Sequence, residues 1–69
     1  MDNREKFVYV LKRLGNKASN AAMFRVLSTE EAWTPDYYVN VKEALKEEGV
    51  IKFGRGRGGT VSLVETGAL

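Results

Sequence analysis

The chain has 69 residues, enough for one small domain with a limited hydrophobic core. Hydrophobic residues make up 43% of it, which is typical of a folded protein and too high for most disordered chains. The absence of cysteine and histidine excludes disulfides and the common zinc sites. With neither residue available as a base, nucleophile or metal ligand, we expect no enzyme activity, no catalytic residues, no metal and no cofactor.

Hydropathy and charge narrow the expected location and partners. No apolar run reaches the roughly 18 residues of a membrane span, and no signal peptide pattern precedes the first predicted helix, so we expect a cytoplasmic protein with no membrane partner. The formal net charge is only +2. Residues 50–64, however, contain three basic side chains and no acidic one, which concentrates positive potential there (Lys52, Arg55 and Arg57).

A first helix is predicted from about residue 3 to residue 14. Asn3 is the expected N-cap, and Gly15 is the expected stop. Val8 and Tyr9 lie off the apolar stripe, where they either pack under the C-terminal segment or form a contact surface for a second chain or parent domain. The stripe itself consists of Phe7, Val10, Leu11 and Leu14.

The next segment predicts a short strand and a second helix. Residues 16–18 are extended and can pair as a third, minor strand at the edge of a later hairpin. Ser19 caps a helix from about residue 20 to residue 28, with Phe24 off its apolar stripe and Arg25 facing outward. Trp33 in the following turn is expected in the core, because a large apolar ring close to two helices is most stable when buried. The inward residues of this helix are Ala22, Met23, Val26 and Leu27.

A third helix begins with Thr34 as its cap and Pro35 at its first position, and it ends at Gly49. At about 100° per residue, one face points into the core and the other into solvent. The inward face comprises Tyr38, Val41, Ala44, Leu45 and the edge of Tyr37. The outward face comprises Asp36, Val39, Asn40, Lys42, Glu43, Lys46 and Glu47.

The outward face of the third helix contains residue types that read DNA. Val39 is an apolar side chain in a polar arc and could pack on a thymine methyl group, while Asn40 could pair with adenine. Lys42 and Lys46 could reach phosphates or guanine. The alternative is a solvated helix carrying lysine–glutamate pairs. The two lysines at i and i+4 repel each other by a few tenths of a kcal/mol, which slightly favours a functional use.

Residues 50–53 and 60–64 predict two strands joined by a glycine–arginine segment, residues 54–59. Arg55 and Arg57 would share a face, and the surrounding glycines would let the backbone approach a phosphate chain or enter a minor groove. The alternative is a flexible turn with arginines for solubility, but four glycines are costly to order when a two-residue turn would connect the strands. The segment lacks the Gly-Lys-Ser/Thr of a nucleotide-binding loop.

The order of elements predicts the α+β class, with one domain over residues 1–69: a three-helix cluster with a small antiparallel β-hairpin, the second and third helices forming a helix-turn-helix. Residues 37–63 resemble the winged helix-turn-helix domains of bacteria and archaea, in which the hairpin is called the wing. The resemblance rests on the pattern Tyr37-Tyr38-x-x-Val41-x-x-Ala44-Leu45-x-x-x-Gly49-x-Ile51-x-x-Gly54-Arg55-Gly56-Arg57-Gly58-Gly59-Thr60-Val61-x-Leu63.

The resemblance implies binding of double-stranded DNA, with the third helix in the major groove and the wing on the phosphate backbone or in the minor groove. It also implies a nucleoid-associated role such as transcription regulation. Such domains are often appended to larger DNA-acting proteins. A parent domain or a homodimer would add affinity, because a domain this small buries little surface. The expected DNA-binding residues are Val39, Asn40, Lys42, Lys46, Lys52, Arg55 and Arg57.

Two other functions remain open from the sequence. The acidic residues of the third helix, the modest net charge and the off-stripe Val8 and Tyr9 favour a protein-interaction module. Binding of left-handed or single-stranded nucleic acid through the wing is a third reading. A steep dependence on salt would distinguish phosphate contacts from a protein interface. For DNA, we expect Arg55→Ala with Arg57→Ala to weaken binding uniformly, and changes at Val39 or Asn40 to alter sequence preference.

Overall fold

A computed structural model describes residues 2–29, 32–54 and 58–64. Within these ranges the chain is a small α+β domain with three helices and a three-stranded antiparallel sheet. The α+β class predicted from the sequence is confirmed. The elements in chain order are α1 (Asn3–Arg13), β1 (Lys17–Ser19), α2 (Asn20–Leu27), α3 (Pro35–Glu47), β2 (Ile51–Gly54) and β3 (Thr60–Leu63).

The start of α1 differs from the prediction. The N-cap is Asp2, whose side chain accepts a hydrogen bond from the Glu5 amide, while the Glu5 side chain accepts one from the Asp2 amide. This capping box satisfies two backbone donors at once. The predicted cap, Asn3, is wrong: Asp2 forms the capping box with Glu5, and Asn3 is the first residue of the helix. The helix ends at Arg13, and Gly15 follows with a φ of 94°.

The caps of the other two helices are confirmed. The Ser19 hydroxyl accepts from the Ala22 amide at the start of α2. The Thr34 hydroxyl accepts from the Tyr37 amide at the start of α3, whose first residue is Pro35. Side-chain caps of this kind satisfy amides that have no partner inside the helix.

The sheet has the strand order β1-β3-β2, so β3 pairs with both neighbours. Ala18 and Phe53 both lie opposite Val61, and the predicted third strand at the edge of the hairpin is confirmed. Val50 and Val64 were expected inside the strands but lie just outside them. The Val64 amide still donates to the Val50 carbonyl at 3.0 Å, which extends the hairpin's pairing by one bond.

The core lies between the helices and one face of the sheet. Trp33 is buried as predicted. Two predicted core residues, Leu14 and Val26, are instead 38% exposed. Leu14 follows the last turn of α1. The inner stripe of α2 runs through Met23, half-buried Phe24 and Leu27, which turns Val26 outward. The buried set is Phe7, Val10, Leu11, Met23, Leu27, Trp33, Tyr38, Val41, Leu45, Ile51 and Val61.

The helices of the described ranges are all too short or too polar to cross a membrane.

Candidate nucleic-acid interface

An exposed aromatic ring lies in the angle between α3 and the β2–β3 hairpin. Strand alternation puts Phe53 on the same face of the sheet as Ile51, towards α3. Ile51 is buried, but Phe53 is 40% exposed. Two α3 side chains reach it: the ammonium nitrogens of Lys42 and Lys46 lie 4.9 and 5.2 Å from the ring centroid. We call these three residues the aromatic–lysine cluster.

The cluster gives the spacing of the two lysines a structural reason. Like charges at i and i+4 on a helix repel each other by a few tenths of a kcal/mol. A cation over an exposed aromatic ring gains about 0.5–1 kcal/mol, so the contacts with Phe53 more than offset the repulsion. Lys42 also lies 5.6 Å from the ring centroid of Tyr38. The lysines are therefore directed towards the hairpin.

Opposite charges occupy opposite flanks of the exposed arc of α3. We call the side of Lys42 and Lys46 the hairpin flank. Glu43 and Glu47 each follow one of these lysines and are therefore about 100° further round the helix, on what we call the acidic flank. Both glutamates are exposed. Val39, which is 40% exposed, lies between the two flanks.

The remaining acidic residue near the end of α3 is engaged elsewhere. Glu48, the C-cap of α3, forms an ion pair with Arg4 of α1. Both side chains are substantially exposed, so this pair adds little to stability. It nevertheless directs the carboxylate towards α1 and away from the exposed arc of α3.

The structure brings together only part of the predicted site. Val39, Lys42 and Lys46 share one surface with Phe53, whereas Asn40 lies on the acidic flank. Lys52 alternates with Ile51 and Phe53 and so points to the other face of the sheet. Lys17 lies on the same face two strands away, because both lysines are opposite Ser62 of the central strand β3. Two further predicted site residues, Arg55 and Arg57, lie outside the described residues.

Asn20, at the start of α2, joins the hairpin to the helices. Its backbone amide donates to the Gly59 carbonyl at 3.2 Å, and its side-chain Nδ2 donates to the Gly58 carbonyl at 3.1 Å. Its Oδ1 accepts from the Tyr38 hydroxyl of α3 at 2.7 Å. The sequence reasoning missed Asn20 because its partners lie 38 and 18 residues away. No local pattern marks it.

Three glycines of the hairpin have structural reasons of their own. Gly58 and Gly59 have φ values of 75° and 82°, a region that side chains with a Cβ rarely adopt. A Cβ on Gly59 would also lie only 2.8 Å from Asn20 Nδ2. At Gly54 it would collide with the side chain of Thr60, which is directly opposite. At these three positions, the backbone conformation or the lack of space for a Cβ also explains the glycine, without any contact with a phosphate chain.

Tyr38 connects this surface to the core. Its ring centroid lies 5.5 Å from that of Phe7 and 5.8 Å from that of Phe24, with Trp33 at 6.4 Å. Burial raises the pKa of Tyr38 from 10.0 to about 12, because the phenolate would lose its hydration. The hydroxyl therefore stays protonated at neutral pH and can donate to Asn20.

A shallow apolar groove of about 290 Å³ opens between the first turns of α2 and α3. Its walls include Phe24, Pro35, Val39 and Lys42. Val39 therefore has an open apolar surface beside it, next to a cation. This combination suits a methyl-bearing base edge that lies close to a phosphate.

Known protein families, curated proteins and solved structures were compared with the chain, and none matches it. Within residues 2–29, 32–54 and 58–64, no three acidic, cysteine or histidine side chains are grouped so that they could hold a metal ion.

Proposed function

We propose that the chain is a DNA-binding domain of the winged-helix type, with α3 in the major groove and the β2–β3 hairpin as a wing on the adjacent backbone. The supporting observation is the aromatic–lysine cluster: Lys42 and Lys46 of α3 lie on the ring of Phe53 in the hairpin. Helix and hairpin thereby present one cationic surface, which attracts a phosphate backbone. The succession of three helices and a terminal hairpin is compatible with a winged-helix layout.

The charge pattern of α3 suggests how the domain meets DNA. Lys42 and Lys46 bind phosphates, and Val39 reaches a base edge from the centre of the arc. Glu43 and Glu47 turn away from the duplex, since carboxylates facing phosphates would repel them. Asn40 lies at the border of the contact. Its pairing with adenine requires the helix to tilt towards the acidic flank.

In this proposal Lys52 of β2 meets a different part of the DNA from Arg55 and Arg57. Lys52 points to the outer face of the sheet, so it meets a different stretch of backbone from the one that α3 binds. Arg55 and Arg57 extend the wing towards the backbone or the minor groove, as the sequence predicts. Lys52 therefore adds a phosphate contact without crowding the aromatic–lysine cluster.

A titration of random-sequence duplex DNA into isotopically labelled protein tests the proposal. We expect the amide chemical shifts of residues 39–46, Phe53 and Gly58 to change when DNA is added. They should return to their DNA-free values when salt is raised. Amides of α1 should stay in place. If no shifts move at low salt, the domain does not bind DNA by itself and the proposal fails.

A protein-interaction role is the second candidate, supported by a different surface. Tyr9, Leu14 and Val26 are 49%, 38% and 38% exposed and line a groove between α1 and α2. A second copy or a parent domain would remove these side chains from water. Sedimentation at increasing concentration tests the homodimer: self-association that Leu14→Ser with Val26→Ser abolishes supports it, and a monomer throughout rejects it.

A further inference from the structure

We propose that Phe53 makes the domain selective for deoxyribose over ribose, by packing its ring against a sugar of the strand that Lys42 and Lys46 bind. This inference rests on the proposed function. Phe53 belongs to the hairpin but lies against α3, so a backbone strand held between helix and hairpin passes over its ring. The ring is 40% exposed and therefore available for this contact.

The groups in the cluster are those that would meet a nucleic-acid strand. Two ammonium groups of α3 lie 4.9 and 5.2 Å from one ring centroid, so two cations adjoin one apolar ring. Along a strand, two phosphates are separated by one nucleoside. In a duplex the base turns inward to its partner and leaves the sugar facing outward. When the lysines bind neighbouring phosphates, the group that meets Phe53 is a sugar.

The surroundings of Phe53 suit a sugar without a 2′-hydroxyl. The residue opposite it in the sheet is Val61, and the next residue along β2 is Gly54, so neither has a polar side chain. In the proposed complex the two ammonium groups bind phosphates. A 2′-hydroxyl both donates and accepts hydrogen bonds, and against this ring it would lose water without gaining a partner. Deoxyribose places only carbon-bound hydrogens there.

The fold itself does not demand a phenyl ring at this position. Its neighbours on the inner face of the hairpin, Ile51 and Val61, are 2% and 0% exposed and belong to the core. Phe53 lies beyond them, with lysine side chains as its neighbours from α3. Its substitution is therefore compatible with a folded domain, and the proposal can be tested at this residue.

The test compares two duplexes of one sequence: all DNA, and the same DNA with a single ribonucleotide at regular intervals in both strands. The second duplex keeps the same phosphates, so its general electrostatic attraction is unchanged. We expect the unsubstituted protein to bind it roughly tenfold more weakly. Phe53→Thr should bring the ratio close to one, because a hydroxyl can pair with the 2′-hydroxyl. Phe53→Leu should weaken both complexes but keep the preference.

The outcomes separate this inference from the proposed function. Equal binding of both duplexes by the unsubstituted protein overturns the inference and leaves DNA binding intact. Failure to bind either duplex overturns the proposed function and the inference with it. A preference that persists in Phe53→Thr assigns the selectivity to another residue and also overturns the inference. Thermal unfolding of both variants verifies that each is folded before binding is measured.

Discussion

The two flanks of α3 differ in charge and in what surrounds them. On the hairpin flank, Lys42 and Lys46 are held against the ring of Phe53. On the acidic flank, Glu43 and Glu47 project from the helix and are exposed. The average charge of a helix therefore says little about whether one of its sides can bind DNA. A helix with nearly balanced charges can present one cationic side, provided that its acids lie on the other.

Removing the cations of the hairpin flank should have the largest effect. With Lys42→Gln and Lys46→Gln, we expect duplex affinity to fall on the order of a hundredfold at about 0.05 M salt, since each phosphate contact contributes a slope of about 0.9. The plot of log affinity against log salt should become shallower by roughly two. Fluorescence anisotropy at several salt concentrations measures both quantities.

The matched control removes two cations from α1, with Lys12→Gln and Arg13→Gln. Both residues are exposed and lie in the last turn of α1, on a different helix from Lys42 and Lys46. Net charge changes equally in the two double variants, so a difference between them reports position. If the control loses as much affinity as the α3 variant, general charge drives binding and the hairpin flank has no special part.

Asn20→Ala tests whether the Asn20 side chain helps to hold the hairpin against the helices. The change removes the side-chain bonds to the Gly58 carbonyl and the Tyr38 hydroxyl. We expect the free energy of unfolding to fall by about 1–3 kcal/mol, because both partners lose a hydrogen bond. Urea unfolding measures it, with Asn40→Ala as an exposed asparagine control on α3. An unfolding curve that matches the unsubstituted protein would show that the two side-chain bonds of Asn20 do not stabilise the fold.

Some features of the two flanks follow from the sequence, and others do not. Local signals predicted the helices, the strands and the core positions of α3, because caps and periodicity act within a few residues. The predicted burial of Leu14 and of Val26 was wrong, since burial at these positions depends on how α2 packs against α1. Alternation along β2 could have separated Lys52 from the other lysines.

Phe53 and Asn20 were missed for a different reason. Each acts through residues on another element: Phe53 lies against two lysines of α3, and Asn20 bonds to the end of the hairpin. The spacing of residues within one helix or strand does not predict such a contact. These contacts depend on how α3 packs against the hairpin, which only the three-dimensional structure gives.

Tyr38 lies beneath the hairpin flank and makes the free energy of unfolding depend on pH. Burial raises the pKa of Tyr38 to about 12, against 10.0 for an exposed tyrosine. Between these values the unfolded chain releases the phenolic proton and the folded chain retains it. The free energy of unfolding should therefore fall as pH rises through this range. Tyr38→Phe cannot ionise, so urea unfolding at rising alkaline pH should show a smaller fall. Parallel pH profiles for the two proteins would contradict the assignment.

The smallest effect is expected from the acidic flank. With Glu43→Gln and Glu47→Gln, we expect duplex affinity to rise only about two- to fivefold at low salt, since in the proposed complex the glutamates face away from the duplex and repel it through screened solvent. The gain should disappear as salt is raised, because exposed charges more than a Debye length apart interact weakly. Anisotropy under the conditions used for the lysine variant makes the comparison direct. A gain as large as the loss from the lysine variant would place both flanks against phosphates, and α3 would then have to lie centrally in the groove with Val39 at its deepest point.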